Sequence, residues 1–389
     1  MVRRVVPFLT FVAVFVCAGA ASAHDPSAYG GLFRSRDFGG TWLNADVGLF
    51  LGGAVSVAIN PRDPNHLLLG TDTNLLVSRT GGRQWKQDSP DKLFGAVTAV
   101  AFFPDGSTAL CSTPAGVFRF EDGNWRRASA PNEAAPARAI ALGVEPGRVY
   151  LLGRSELFRS DDYGRQWRRV DHALPDQPEF VELVVASAPA ETLYAVVDGK
   201  LLASVDQGHN WTPRRVGLPE QGVEALTMDP AAQGRLWLAS VDRLYVSDDG
   251  GIRWRAVGGP LPEAGTSVRA IAADASRQKI VVTTHRGMYR SIDAGNTWEL
   301  MEGNLPVHLE AGPLLRDATD AETLYAGYSL MPYGEIWRIA LEGGNLLGRV
   351  DLLSLAGGLA FLVLLVLLGV LAARWLSRRS ANPQLPIRR

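Results

Sequence analysis

The octapeptide SRDFGGTW at residues 35–42 returns as SDDYGRQW (160–167), SVDQGHNW (204–211), SDDGGIRW (247–254) and SIDAGNTW (291–298). A sixth copy, SRTGGRQW (78–85), carries Thr80 in place of the aspartate, and a shortened seventh keeps Asp122, Gly123 and Trp125. Trp42, Trp85, Trp125, Trp167, Trp211, Trp254 and Trp298 follow one another at a period of ~43 residues, the length of a four-stranded propeller blade. Each period begins with an apolar run (55–61, 97–104, 223–230, 268–274) and continues with a shorter one (66–70, 149–153, 192–197, 235–240). An apolar-aromatic stretch such as 157–160 or 288–291 then leads into the octapeptide. Short β runs at even spacing with turn residues between them describe an all-β array. The expected fold is a single seven-bladed β-propeller over residues 24–345.

The octapeptide has the chemistry of a rigid hairpin. A short carboxylate accepts hydrogen bonds from backbone N–H groups of its own turn. The glycine supplies a backbone conformation closed to residues with a Cβ. The tryptophan buries a large apolar face while its N–H still finds a partner. A structural role is therefore assigned to Ser35, Asp37, Gly39 and Trp42. The same holds for Ser160, Asp162, Gly164 and Trp167, for Ser204, Asp206, Gly208 and Trp211, for Ser247, Asp249, Gly251 and Trp254, and for Ser291, Asp293, Gly295 and Trp298. No residue is assigned to catalysis.

These octapeptides resemble the bacterial neuraminidase repeat, or Asp-box, of sialidases, xyloglucanases, sortilin-type receptors and photosystem II assembly and stability factors. A single ring of about seven short units behind an export signal resembles the photosystem II assembly-factor group most. That resemblance implies a non-catalytic protein-binding role. The alternative it allows is a sialidase-like glycoside hydrolase or another carbohydrate-binding propeller. Sialidases carry their first substrate-binding arginine in an Arg-Ile-Pro-type motif ahead of the first box, and the short stretch 29–34 holds none. Xyloglucanases place paired aspartates between two propellers, whereas this chain has room for one.

Ring closure has two competing solutions in the sequence. The last unit offers 313–318, 323–329 and 335–341 as strands, with 41–46 from the N-terminal end as the fourth. Residues 32–35, which read Leu-Phe-Arg-Ser like 157–160, compete with 335–341 for the third place.

The two ends of the chain suggest export and anchoring. Arg3 and Arg4, an apolar core and a small-residue ending at 21–23 have the form of a signal peptide over 1–23. Residues 352–373 contain no charged side chain and are long enough to span a bilayer as a helix. The Arg-rich tail 374–389 then marks the cytoplasmic side. The expected location is the inner membrane, single-pass, with the propeller in the periplasm. Removal of Cys17 with the signal would leave Cys111 alone, so no intramolecular disulfide is expected. Lys plus Arg (39) nearly equals Asp plus Glu (40), which argues against a non-specific nucleic-acid binder.

Aligning the first strand of each unit puts Val55, Thr98, Arg138, Glu182, Glu224, Arg269 and Gly312 in one ring. Facing the channel, these positions would set two adjacent carboxylates between two arginines. Such a pair can serve acid/base hydrolysis, while mutual charge compensation is the plainer reading. Arg154, Lys200, Arg243 and Arg286, before or at the third strands, would add basic loops on the same side. Together these residues form the candidate protein-partner surface. Leu-Pro pairs at 174–175, 218–219, 261–262 and 305–306 read as rigid connections between blades. His24, as a mature N-terminus, is a copper candidate, but the other histidines lack metal spacing. No cofactor is assigned. The functional expectation is a non-catalytic, membrane-anchored scaffold or assembly factor for a membrane complex.

Overall fold

The computed structural model describes residues 30–342, apart from 47, 48, 50, 176, 188, 189, 220, 221, 230, 231, 233 and 307. The signal segment 1–23, His24, the apolar stretch 352–373 and the tail 374–389 lie outside the described residues. Among the described residues, no helix is long and apolar enough to cross a membrane.

The octapeptides fold as their residue types require. Ser35 Oγ donates to Asp37 Oδ1 (2.8 Å) and accepts from the Gly39 N–H (2.8 Å). Asp37 Oδ1 also accepts from the Thr41 N–H at 2.8 Å, and the Trp42 indole donates to Gly39 O at 3.2 Å. Gly39 sits at φ +79°, and a Cβ there would come within 2.7 Å of Val281. The serine–aspartate bond recurs at 160–162, 204–206, 247–249 and 291–293. Asn210 N–H, the Asn210 side chain and the Ser204 hydroxyl together hold the Asp206 carboxyl down at about 2. Where Thr80 replaces the aspartate, its Oγ1 still accepts from Gln84 N–H (2.8 Å) but lies 3.4 Å from Ser78 Oγ. The shortened copy is a two-residue hairpin, with Asp122 and Gly123 at φ 53° and 76°. Its Trp125 indole donates to Asp88 Oδ2 at 2.9 Å.

Strands flanking these turns form seven four-stranded antiparallel sheets. Blades 1 to 6 run in chain order from innermost strands Ala54–Asn60, Ala99–Phe102, Ala139–Leu142, Phe180–Ala186, Val223–Met228 and Val268–Ala273. Blade 7 takes its two inner strands, Glu310–Arg316 and Leu324–Ser329, from the C-terminal side and its two outer strands, Gly31–Ser35 and Leu43–Asn44, from the N-terminal side. Gly31 pairs with Tyr328 and Ser35 with Leu324. Residues 32–35 thus win the contested third place. The expected strand at 335–341 is instead part of a helix, α1 (Tyr333–Leu341). Two local features explain the difference. Ile336 and Ala340 repeat at helical spacing and are buried, and Arg338 bridges Glu335 and Glu342 one turn away on either side.

Neighbouring blades are joined in both directions around the ring. Trp42 of blade 7 packs with Val281 and Met288 of blade 6, and Trp254 of blade 5 packs with Tyr194 and Val196 of blade 4. Arginines before the box serines reach the next box. Arg34 donates to Gly81 O (2.7 Å), Arg119 to Tyr163 O (2.7 Å) and Arg290 to Phe38 O (3.1 Å), while Arg159 bonds Gln207. Leu261 and Leu305 of the Leu-Pro connections are buried in interblade core, as rigid linkage requires.

Because successive strands alternate in direction, the boxes at the ends of third strands lie opposite the ends where the innermost strands begin. At that second end the inner strands are bulged. Register shifts set Val55, Glu224 and Arg269 out of the ladder, with Val181 in blade 4 and 312–313 in blade 7. A bulge re-aims the side chain it releases. Two of the carboxylates brought there join blades: Leu226 N–H donates to Glu182 (3.1 Å) and Val268 N–H to Glu224 (2.8 Å).

Two outcomes follow for stability. Thr80→Asp restores the second acceptor oxygen of an incomplete box and should raise stability by about 0.5–1 kcal/mol, read as a higher urea midpoint at unchanged slope. Burial pushes the Glu182 carboxyl up to about 8, against the smaller opposing effect of the Leu226 N–H. The unfolded chain releases this proton near pH ~4.3 and the folded chain keeps it, so Glu182 lowers stability progressively as pH rises toward 8. Glu182→Gln should therefore gain on the parent protein between pH 5 and pH 8, by on the order of 3 kcal/mol. A pH-independent difference in urea unfolding would contradict this.

Candidate functional site

The seven aligned positions Val55, Thr98, Arg138, Glu182, Glu224, Arg269 and Gly312 all line one cavity of ≈ 970 Å³ at the end of the channel where the inner strands begin. Arg154 and Glu179 line it as well. The expected order holds, with Glu182 and Glu224 on adjacent blades between Arg138 and Arg269. Lys200, Arg243 and Arg286 belong to the same face by topology but are not part of the cavity wall. Arg286 is engaged by Glu263 at 2.5 Å, and Arg243 opens the strand Arg243–Ser247. Strand alignment located the ring except in blade 4, where Val181 holds the place equivalent to Glu224 and Glu182 follows it.

Helix α1 covers this end of the channel and supplies what the sequence reading missed. The Tyr333 hydroxyl donates to Ala54 O (2.8 Å), and the Tyr333 N–H donates to Glu310 Oε2 (2.9 Å). A Cβ at Gly312 would overlap the Tyr333 ring, so the glycine is what admits this side chain. Arg269 donates to Glu310 at 2.7 Å, with its guanidinium 5.1 Å from the Tyr333 ring centroid. Arg138 lies 4.8 Å from the Trp337 ring centroid. Both distances are within cation–π range. The signal for these contacts was the helical spacing after Pro332, which the propeller repeat masked.

The charges of the site are unequally used. Glu182 and Glu224 each accept a backbone N–H of the next blade. Burial raises the Glu224 carboxyl too, against the pull of the Val268 N–H. Arg138 has one ion-pair partner, Glu179, at a long 3.5 Å, and that carboxylate is 66% exposed. Burial pulls the Arg138 guanidinium below its ordinary range, Glu179 opposes this, and the charge of Arg154 adds to it. The acidic pair is thus tied to the scaffold, Arg269 is paired with Glu310, and Arg138 is the less compensated cation.

No group of three or more His, Cys, Asp or Glu side chains gathers in metal-binding geometry among the described residues. His285 accepts from the Ser267 N–H (3.0 Å) and His66 contacts Asn60 (3.0 Å), both as parts of the scaffold. Cys111 is buried, and burial, with the charge of Asp88, pushes its thiol well up, which suits packing rather than reactivity.

Comparison with known proteins agrees with this architecture. Residues 121–306 match the DUF6242 beta propeller domain, and residues 32–44 match the BNR-Asp box repeat. The photosystem II assembly lipoprotein Ycf48 of Synechococcus sp. (strain CC9902) is 25% identical over 159 residues. That match spans 40% of this chain and 47% of the relative, about half its length. The structure of YCF48 bound to D1 peptide superposes with a TM-score of 0.54 at 17% identity, over 71% of this chain and 93% of that one. The GH74 xyloglucanase of Xanthomonas campestris gives a TM-score of 0.51 at 20% identity, over 70% of this chain and 51% of the enzyme. At these identities the solved structures speak for the fold alone. The chain folds as a β-propeller, matches the BNR-Asp box repeat at residues 32–44, and is similar to the photosystem II assembly factor Ycf48 in sequence over 159 residues and in fold.

Proposed function

We propose that this chain is a non-catalytic, membrane-anchored propeller that binds another protein and serves the assembly or stability of a membrane complex. The observation that carries this reading is the state of the charged channel end. Acid/base hydrolysis needs carboxylates free to meet a substrate, and here Glu182 and Glu224 are occupied by backbone N–H groups of the neighbouring blades. Arg154, Lys200 and Arg286 remain exposed on the same face, which suits a broad basic contact with a protein partner. Similarity to Ycf48, one structure of which holds a D1 peptide, supports the same choice. The glycoside hydrolase alternative has the similarity to the GH74 xyloglucanase in its favour, but that match covers only 51% of the enzyme.

The proposed setting follows from the chain ends. Residues 1–23 would direct export, 352–373 would span the inner membrane, and 374–389 would stay in the cytoplasm. The short stretch 343–351 would then keep the propeller beside its membrane partners and raise their effective concentration.

The test is recovery of the tagged full-length protein from native membranes in detergent, with mass spectrometry of what accompanies it. Subunits of one membrane complex should co-purify in stoichiometric amounts. Arg154→Glu with Arg243→Glu and Arg286→Glu should reduce recovery by about tenfold or more. A protein that emerges alone, or a complex indifferent to the charge reversal, would contradict the proposal.

A further inference from the structure

Three N–H groups around the cavity are buried without a hydrogen-bond partner: Arg138 Nε, Arg269 Nε and Trp337 Nε1. Unpaired buried donors are costly, more so on a charged group, and these atoms are closed off from the cavity, so any contact with a ligand falls to the rest of each guanidinium. Arg269 has Glu310 as a close ion pair. Arg138 is the less compensated of the two cations. Its nearest carboxylate is distant and exposed, Arg154 adds a second positive charge, and the Trp337 ring covers its face.

We infer that the cavity between α1 and the inner strands of blades 3 and 4 binds a small organic carboxylate, held by the Arg138 guanidinium that rests against the Trp337 ring and supported by Arg154. The site extends beyond the protein-binding reading and does not depend on it. A guanidinium edge fits the planar, singly charged carboxylate through parallel N–H donors. The local excess of one positive charge, counting Arg138 and Arg154 against Glu179, matches a monoanion better than a dianion. Glu182 keeps its proton at neutral pH, since burial pushes it up to about 8. It therefore adds no repulsion toward an anion. The rest of the wall includes Val181, Val223, Val268, Leu314 and Ile336. Apolar walls with a few convergent polar groups are the usual form of a small-molecule site, so the ligand's body should be aliphatic.

The test is titration calorimetry of the full-length protein in detergent with butyrate, using butyramide as the neutral isostere. Butyrate should bind and butyramide should not. Arg138→Gln should weaken butyrate by about tenfold or more, the range for a charged hydrogen bond. Arg154→Gln, at an exposed side chain, should weaken it about threefold without affecting the fold. It decides the matter if the Arg138 variant does not fold. Affinity should also fall as the pH is raised above 8 and Glu182 ionises. Equal behaviour of butyrate and butyramide, or butyrate binding unchanged in the variants, would overturn the inference.

Discussion

The antiparallel pairing of Gly31–Ser35 with Leu324–Ser329 is the constraint on which the rest of the structure depends. Seven sheets around a channel have to meet themselves, and an unclosed ring would expose two blade faces and two rows of interblade contacts. Here the chain ends share blade 7, two strands each, so leaving the ring requires breaking a five-residue register rather than one surface contact. The junction is reinforced from the neighbouring blade. Arg290 donates to Phe38 O, and the ring of Trp42 sits among blade 6 side chains.

Closure also divides the molecule into two unlike ends. The Asp-box turns lie at one end, where serine hydroxyls, carboxylates and tryptophans are consumed by local hydrogen bonds and interblade packing. At the other end the inner strands begin with bulges, and these turn charged residues into the channel instead of into the ladder. The Asp-box turns and the charged channel end are therefore on opposite sides. Helix α1 follows directly from the closing strand Leu324–Ser329 and emerges at the charged channel end. The strand places being filled, its Ile336 and Ala340 pack against Ala96 at the channel instead.

Much of this was legible in the residues, for identifiable reasons. The tryptophan period and box grammar specified seven blades because the serine–aspartate and serine–glycine bonds of each intact box fall within eight residues, so local sequence is sufficient to mark the turn. Val55, Thr98, Arg138, Glu224, Arg269 and Gly312 were found by alignment because repeated units place equivalent positions equivalently. In blade 4 the equivalent place is held by Val181, and Glu182 sits one residue further, paired with Val196 as Ala225 is with Ala239. Residues 335–341 were open to a strand reading because the repeat led one to expect a strand there. The helical spacing of Ile336 and Ala340 was the local counter-signal, and Gly31–Ser35, almost three hundred residues away, fills the strand place. The cation–π contacts of Arg138 and Arg269 were invisible for the same reason, since their partners Trp337 and Tyr333 belong to no repeat. Nor could the sequence reveal that Glu182 and Glu224 accept backbone N–H groups of the next blade, which changes them from possible acids into staples.

The central claim is that the two chain ends close one cooperative ring from which the charged channel follows. Hydrogen exchange of the intact protein tests it most directly, comparing amides of Gly31–Ser35 and Leu324–Ser329 with those of an internal central pair such as Leu236–Ser240 and Arg243–Ser247. The account predicts that the closing strands are protected and open with the same free energy as the internal pair, as parts of one cooperative unit. Exchange of Gly31–Ser35 within seconds, while the internal strands stay protected, would contradict it.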